Sequence, residues 1–254
     1  MILNINKIQF INTLNFHTLE TQTTPHERHN FMSKLLLIRH GQASFGKKNY
    51  DQLSELGMQQ ATWLGHYLRQ CELKPSRIIT GSLARHKQTA ASICQGLNHE
   101  CNIEEHLGWN EFDFQAIVQA YLQLHPELTP TTGHPKAFFS LLKKSMTAWS
   151  KNILNSTIPE TWSDFGGRVN EAMLFSKKET TDGPILVISS GGAISMALKN
   201  ILRLDNAAMI DLNLQTRNSS VSEIYFNQFH DQLCSFNTIP HLETNDRRHL
   251  ITYA

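Results

Sequence analysis

SKLLLIRHGQASFG, residues 33–46, sets four apolar side chains, Leu35 to Ile38, directly against Arg39, His40 and Gly41. A run that short and that apolar suits a strand buried on both faces. It delivers a guanidinium and an imidazole to the edge of its own core, a costly placement unless something anionic meets them. Working outward, Leu53, Gly57, Ala61, Leu64 and Leu68 recur at helical spacing and predict a helix over about 53–69. Arg77 to Thr80 reads as a second short strand, Ser82 as the cap of a helix running to Leu97, and 99–104 as a third strand. Pro184 to Ser189 is again a buried strand, broken by Ser190-Gly191-Gly192 and followed by a helix to Leu202. Strands alternating with helices imply an α/β fold, a three-layer α/β/α sandwich around a mostly parallel central sheet.

Residues 109–165 change character. They hold Trp109, Phe112, Phe114, Tyr121, Phe138, Phe139, Trp149, Trp162 and Phe165, punctuated by Pro126, Pro130, Pro135 and Pro159. Helices are expected near 115–124 and 136–154, forming a helical cap insertion over the sheet, with a further helix over 161–178 leading back to it. Segments 208–217 and 220–227 alternate and read as antiparallel or edge strands, with another at 232–236. The expected organisation is one α/β domain over 32–254 behind an Asn- and Thr-rich extension, 1–31. That extension lacks the basic start, apolar segment and cleavage site of a secretory signal. It reads as disordered, or as sequence upstream of a true beginning at Met32.

The 254 residues carry 23 Lys plus Arg against 22 Asp plus Glu, a formal charge of +1. So balanced a chain gives no polyelectrolyte signal for nucleic acid or a membrane surface. No apolar run reaches spanning length. The four cysteines, at 71, 94, 101 and 234, have no Cys-x-x-Cys spacing, which favours free thiols in a reducing cytoplasm. The 13 histidines form no metal-ligand pattern, so no metal or cofactor is expected.

In an open parallel sheet, ligands collect beyond the carboxyl ends of the strands. Arg39-His40-Gly41 and Ser189-Ser190-Gly191-Gly192 both follow such ends, and Arg85 opens the helix after the second strand. A cation there opposes the helix dipole by about 0.3–1 kcal/mol unless an anion shares the site. Glycines opening a helix let backbone N–H groups approach that anion. Each feature alone has an ordinary structural reading. Together they predict an oxyanion pocket, for phosphate.

These residues carry a resemblance. "LIRHGQ", "LSELGMQQA", "TGSLARHKQTAAS", "NEFD" and "LVISSGGAI", in order along residues 34–227, resemble the histidine phosphatase superfamily, also called phosphoglycerate mutase-like. The resemblance implies a phosphomonoester hydrolase with His40 as nucleophile, Arg39 and Arg85 as phosphate clamps and Glu111 as proton donor. Asp113 is the runner-up donor, and Glu104 and Glu105 read as surface carboxylates. The family usually places a second histidine where this chain has Ser190. The expected "SHGG" is "SSGG" here, so Ser190, with the Gly191 and Gly192 amides, is expected to contact the phosphate with a weaker, neutral hydrogen bond. A weakened phosphatase is the reading, with a phospho-ligand or phosphoprotein-binding pseudo-enzyme as the alternative. His86 and His241 are the two histidines able to supply an imidazole from elsewhere, though a structural role is the simpler reading of each. The Ile239-Pro240-His241 turn favours His241. A mutase must hold a phosphate and a carboxylate together. Yet no Arg lies between Arg85 and Arg168, and Lys136 is the one Lys in 88–142. The expected partner is a small phosphorylated substrate or a phosphoprotein.

Overall fold

The computed structural model describes residues 32–44, 51–100, 102–129, 135–154, 158–178 and 183–253. The expectations for 1–31, and for the middle of the 41–51 loop, lie outside the described residues. Six strands, β1 (Ser33–Arg39), β2 (Arg77–Thr80), β3 (Ile103–Glu105), β4 (Ile185–Ser189), β5 (Val221–Phe226) and β6 (Asp231–Thr238), form one sheet in the order β3-β2-β4-β1-β5-β6. The first three pairings are parallel and the last two antiparallel. β1 and β4 are therefore central and read as unbroken apolar runs because both of their faces are covered.

The two faces part by the period of the strand. Leu36, Ile38, Ile78, Leu186 and Ile188 pack beneath α1 (Glu55–Gln70) and α2 (Ala84–Leu97). Leu35, Leu37, Ile79, Ile185 and Val187 belong to a larger core with α5 (Trp162–Ser176), α6 (Gly191–Leu202) and the cap helices α3 (Phe114–Leu124) and α4 (Pro135–Ser150). The result is the three-layer α/β/α sandwich with a helical insertion.

Three local expectations are corrected. Residues 208–217 are not a strand: α7 (Asn206–Gln215) fills the segment, its first turn capped by the Asp205 carboxylate accepting from the Ala208 amide at 2.7 Å. Ile210, Leu212 and Leu214 alternate with polar residues because α7 has apolar neighbours on more than one side. Met209 and Ile210 enter the core while Leu214 faces a cleft. The third strand is shorter and later than 99–104. Ser82 does not cap α2; the cap position is Leu83, and the carboxylate of Asp51 accepts from the Ala84 amide at 2.9 Å instead.

Candidate active site

The carboxyl ends of β1, β2 and β4 stop at a cleft of about 670 Å³, counting its open mouth. Its floor is Arg39, His40, Arg85 and Glu111; its wall is Phe112, Phe114, Phe138, Phe139, Leu142 and Leu214, with Asn213 and Tyr253 as polar members. Residues separated by up to 72 positions along the chain thus meet where the sheet ends.

His40 is buried, its amide donating to the Ser189 carbonyl across the β1–β4 pair at 2.9 Å. The ring Nδ1 lies 2.7 Å from the carbonyl of Gly41. A carbonyl only accepts, so Nδ1 carries the proton and Nε2 keeps its lone pair. Burial first, then the Arg85 and Arg39 cations and His86, hold the imidazole well below its ordinary value. It is a neutral imidazole, held in one orientation.

Arg39 is anchored from behind. Its Nη1 donates to the Tyr253 carbonyl at 2.6 Å and to the carbonyl of Thr216 at the end of α7. Arg85 stands in the first turn of α2, where a cation opposes the dipole. Asp51 answers that conflict: one carboxylate oxygen takes the Ala84 amide and the other takes Arg85 Nη1 at 2.8 Å. The same guanidinium reaches Ser190 Oγ at 3.5 Å.

Glu111 follows a single 3-10 turn, Leu107–Trp109. Its carboxylate accepts from the Phe112 amide at 3.1 Å and from the Gly192 amide at 3.0 Å. A Cβ on residue 192 would lie 2.2 Å from Glu111 Oε1, so the second glycine of the α6 turn makes room for the carboxylate. Burial pushes the Glu111 carboxyl up from its ordinary value, against those two amides and both arginines. Asp113, the runner-up donor, is exposed and caps α3 through the Ala116 amide at 2.9 Å. Glu104 forks onto Arg77 with both bonds at 2.8 Å, and Glu105 pairs with Lys87 at 2.7 Å.

Ser190, Gly191 and His241 are placed differently from the four floor residues. None of them is among the residues that line the open cleft, although Ser190 Oγ lies against the guanidinium of Arg85 on its floor. Ser190 Oγ lies 2.7 Å from His86 Nε2, and the Gly192 amide belongs to Glu111 rather than to an incoming anion. His241, the favoured auxiliary histidine, sits behind the floor. Its Nε2 is 2.8 Å from Ser219 Oγ, and the Ser219 amide donates to the His40 carbonyl at 3.2 Å. Through Ser219 it braces the backbone of His40, and it is not among the residues that line the cleft.

Two contributors escape sequence reasoning. Asp51, described above, is one. Arg168 on α5 is the other: it donates to the carbonyls of Gly108 (3.1 Å), Asn110 (2.7 Å) and Glu111 (3.4 Å) while Glu160 grips it in a fork. One side chain thereby fixes the loop that carries Glu111. Its only sequence trace is its isolation, the first Arg after Arg85. The aromatic set divides as well. Trp109, Trp149, Trp162 and Phe165 are cap core, whereas Phe114, Phe138 and Phe139 remain partly open on the cleft.

No group of His, Cys, Asp and Glu among the described residues could hold a metal ion, and no helix among them is long and apolar enough to cross a membrane. The family model of the histidine phosphatase superfamily (branch 1) matches residues 35–239. No curated protein matches the chain. Among solved structures, phosphoglycerate mutase from Bacillus anthracis is similar at a TM-score of 0.60 and 18% identity, covering 85% of this chain and 97% of its own. Phosphoserine phosphatase from Entamoeba histolytica, in complex with 3-phosphoglyceric acid, follows at 0.59 and 19%, covering 83% and 100%. A mycobacterial glucosyl-3-phosphoglycerate phosphatase gives 0.57 and 18%, covering 82% and 100%. Identities this low speak for the shared fold.

Proposed function

The chain belongs to the histidine phosphatase superfamily, and from that premise we propose that it hydrolyses phosphomonoesters through a phosphohistidine on His40. The observation that carries the reading is the contact of His40 Nδ1 with the Gly41 carbonyl at 2.7 Å. With Nδ1 tied to the Gly41 carbonyl, the nitrogen left to attack is Nε2, in a cleft shared with two guanidinium groups and a carboxyl of raised pKa. Nε2 attacks phosphorus and the P–O bond to the leaving group breaks. Protonated Glu111 hands its proton to the departing alkoxide. Arg39 and Arg85 hold the equatorial oxygens, where charge spreads in the transition state. Glu111 then takes a proton from water, the hydroxide attacks phosphorus, the N–P bond breaks and inorganic phosphate leaves with His40 neutral again.

The leaving group sits against the wall. Arg39 and Arg85 are the cations among the described lining residues, and a single phosphoryl group engages both. A substrate that also carried a carboxylate would meet phenylalanines and the neutral Asn213 and Tyr253, with no further cation among the described lining residues. This favours hydrolysis of esters of apolar or aromatic alcohols over mutase chemistry, which needs the second anion held. The competing reading, a phospho-ligand-binding pseudo-enzyme, rests on Ser190. Against it, binding alone requires neither the lone-pair Nε2 nor the proton-loaded carboxyl. Turnover of p-nitrophenyl phosphate at mildly acidic pH, compared between the parent and His40→Ala, decides the matter. Turnover lost in the variant supports hydrolysis, and equal rates contradict it.

A further inference from the structure

His86 is the buried titratable group that the mechanism above leaves unused. It follows Arg85 on α2, has no solvent exposure, and its ring centroid is 5.7 Å from that of His40. Nε2 is 2.7 Å from Ser190 Oγ, and Nδ1 has no hydrogen-bond partner. The ring is clamped: a Cβ on Gly81, just past β2, would lie 2.3 Å from Nδ1. Ser190 is clamped too. It occupies the cap position of α6, yet its hydroxyl makes no cap bond and is turned to His86 and Arg85 instead.

The tautomer follows from the orphaned nitrogen. A proton on Nδ1 would be a buried N–H with no acceptor, whereas a bare lone pair there costs less. The proton therefore sits on Nε2 and is donated to Ser190 Oγ. Arg85 Nη2 approaches the same oxygen as a second donor. With its acceptor side taken by two donors, the hydroxyl has its own O–H left to give, beside a guanidinium that lines the cleft. Donation into an oxygen polarises its O–H and strengthens what it donates onward.

We propose that His86 and Ser190 act as one unit, His86 orienting the Ser190 hydroxyl so that its proton is donated to a non-bridging oxygen of the phosphoryl group being transferred to His40. Ser190 is then the catalytic residue of the pair and His86 a positioning residue. The imidazole that is absent from position 190 is present one layer back and works through the hydroxyl. The inference rests on the phosphohistidine reading above, and its tests separate the two.

Nitrogen-15 NMR of the histidine rings in the full chain comes first, since it needs no turnover. The expected signature is a neutral His86 with its proton on Nε2, and a changed Nε2–H shift when inorganic phosphate is added. A proton on Nδ1, or a shift that phosphate leaves unmoved, overturns the pair whatever the enzyme does. Kinetics come second, with p-nitrophenyl phosphate. Ser190→Ala and His86→Leu are each expected to lower kcat roughly tenfold with KM little changed. The double variant should be no slower than either alone. His86→Gln, which keeps an N–H near the Nε2 position, should restore most of the rate. Multiplicative losses in the double variant, or parent-like kcat in folded His86→Leu, contradict the proposal. If His86→Leu fails to fold, His86→Gln against Ser190→Ala still decides: equal slowing of the two removes the N–H donation from the account. Parent and His40→Ala turning over alike would sink the phosphohistidine reading instead, leaving the tautomer result standing by itself.

Discussion

The floor of the cleft and its wall are built by opposite means. Floor residues come from the end of β1, the first turn of α2 and the Glu111 loop, far apart in sequence. Nearly every polar group there is held by a named partner: His40 by Gly41, Arg85 by Asp51, Glu111 by the Gly192 and Phe112 amides, the Glu111 loop by Arg168. The wall comes mostly from one contiguous insertion and offers phenylalanine rings with few directional bonds. A fixed polar floor fits charge development, where a small displacement is expensive. An apolar wall fits a choice among leaving groups, where burial scales with area and small misfits cost little. Floor substitutions should therefore act on kcat and wall substitutions on KM.

The largest expected effect is on the floor. His40→Ala should reduce turnover by about 10⁴-fold or more, since the covalent route is gone; steady-state assays at saturating substrate would measure it. Glu111→Gln should lower kcat by about 10²–10⁴-fold. It should also raise the melting temperature at neutral pH. Because the folded-state pKa of Glu111 is raised, the group stabilises the fold at low pH and that contribution is lost as pH rises through the raised value. Glutamine stays neutral throughout. The same shifts set the rate profile. The alkaline limb marks loss of the Glu111 proton, while the acid limb, protonation of His40, lies well below 6.5. An acidic optimum in kcat against pH is the expected outcome.

On the wall, Phe138→Ala should raise KM for an aryl phosphate several-fold, with kcat nearly unchanged. A half-buried ring gives up a fraction of the roughly 1.5–3 kcal/mol that full burial contributes. A kcat loss as large as that of the floor variants would erase the distinction. The smallest effect on activity is expected behind the floor, at His241. Its pKa is lowered to about 3, mainly by burial. The unfolded chain binds this proton near 6.5 and the folded one does not, so stability falls as pH drops from 6.5 toward 3. Thermal melts of His241→Asn should show a shallower decline over that window, at near-parental kcat.

The same contrast explains what was legible in the sequence. Leu35 to Ile38 and Pro184 to Ser189 betray central strands because burial on both faces leaves unbroken apolar runs. Arg39, His40 and Arg85 could be named in advance because each sits at a strand end or helix start, whereas Glu111 is named only through the resemblance of its NEFD stretch; the cleft brings the four together. Supporting residues carry no such mark. Asp51 and Arg168 act on groups 34 and 60 residues away, at no fixed spacing from what they hold. His86 stands next to Arg85 in sequence, but only the packing of α2 against the α6 turn turns its ring to Ser190. The misread of 208–217 has the same root: Ile210, Leu212 and Leu214 serve two neighbours, and a helix with two apolar sides imitates the period of a strand.

The account stands on a covalent intermediate at one nitrogen. Rapid quenching of the parent enzyme during turnover of an aryl phosphate, followed by peptide mapping at alkaline pH, tests it most directly. The expected result is a single acid-labile phosphoryl group on the peptide carrying His40, formed in the first turnover. Turnover with no labelled histidine, or with the label on a different residue, would contradict it.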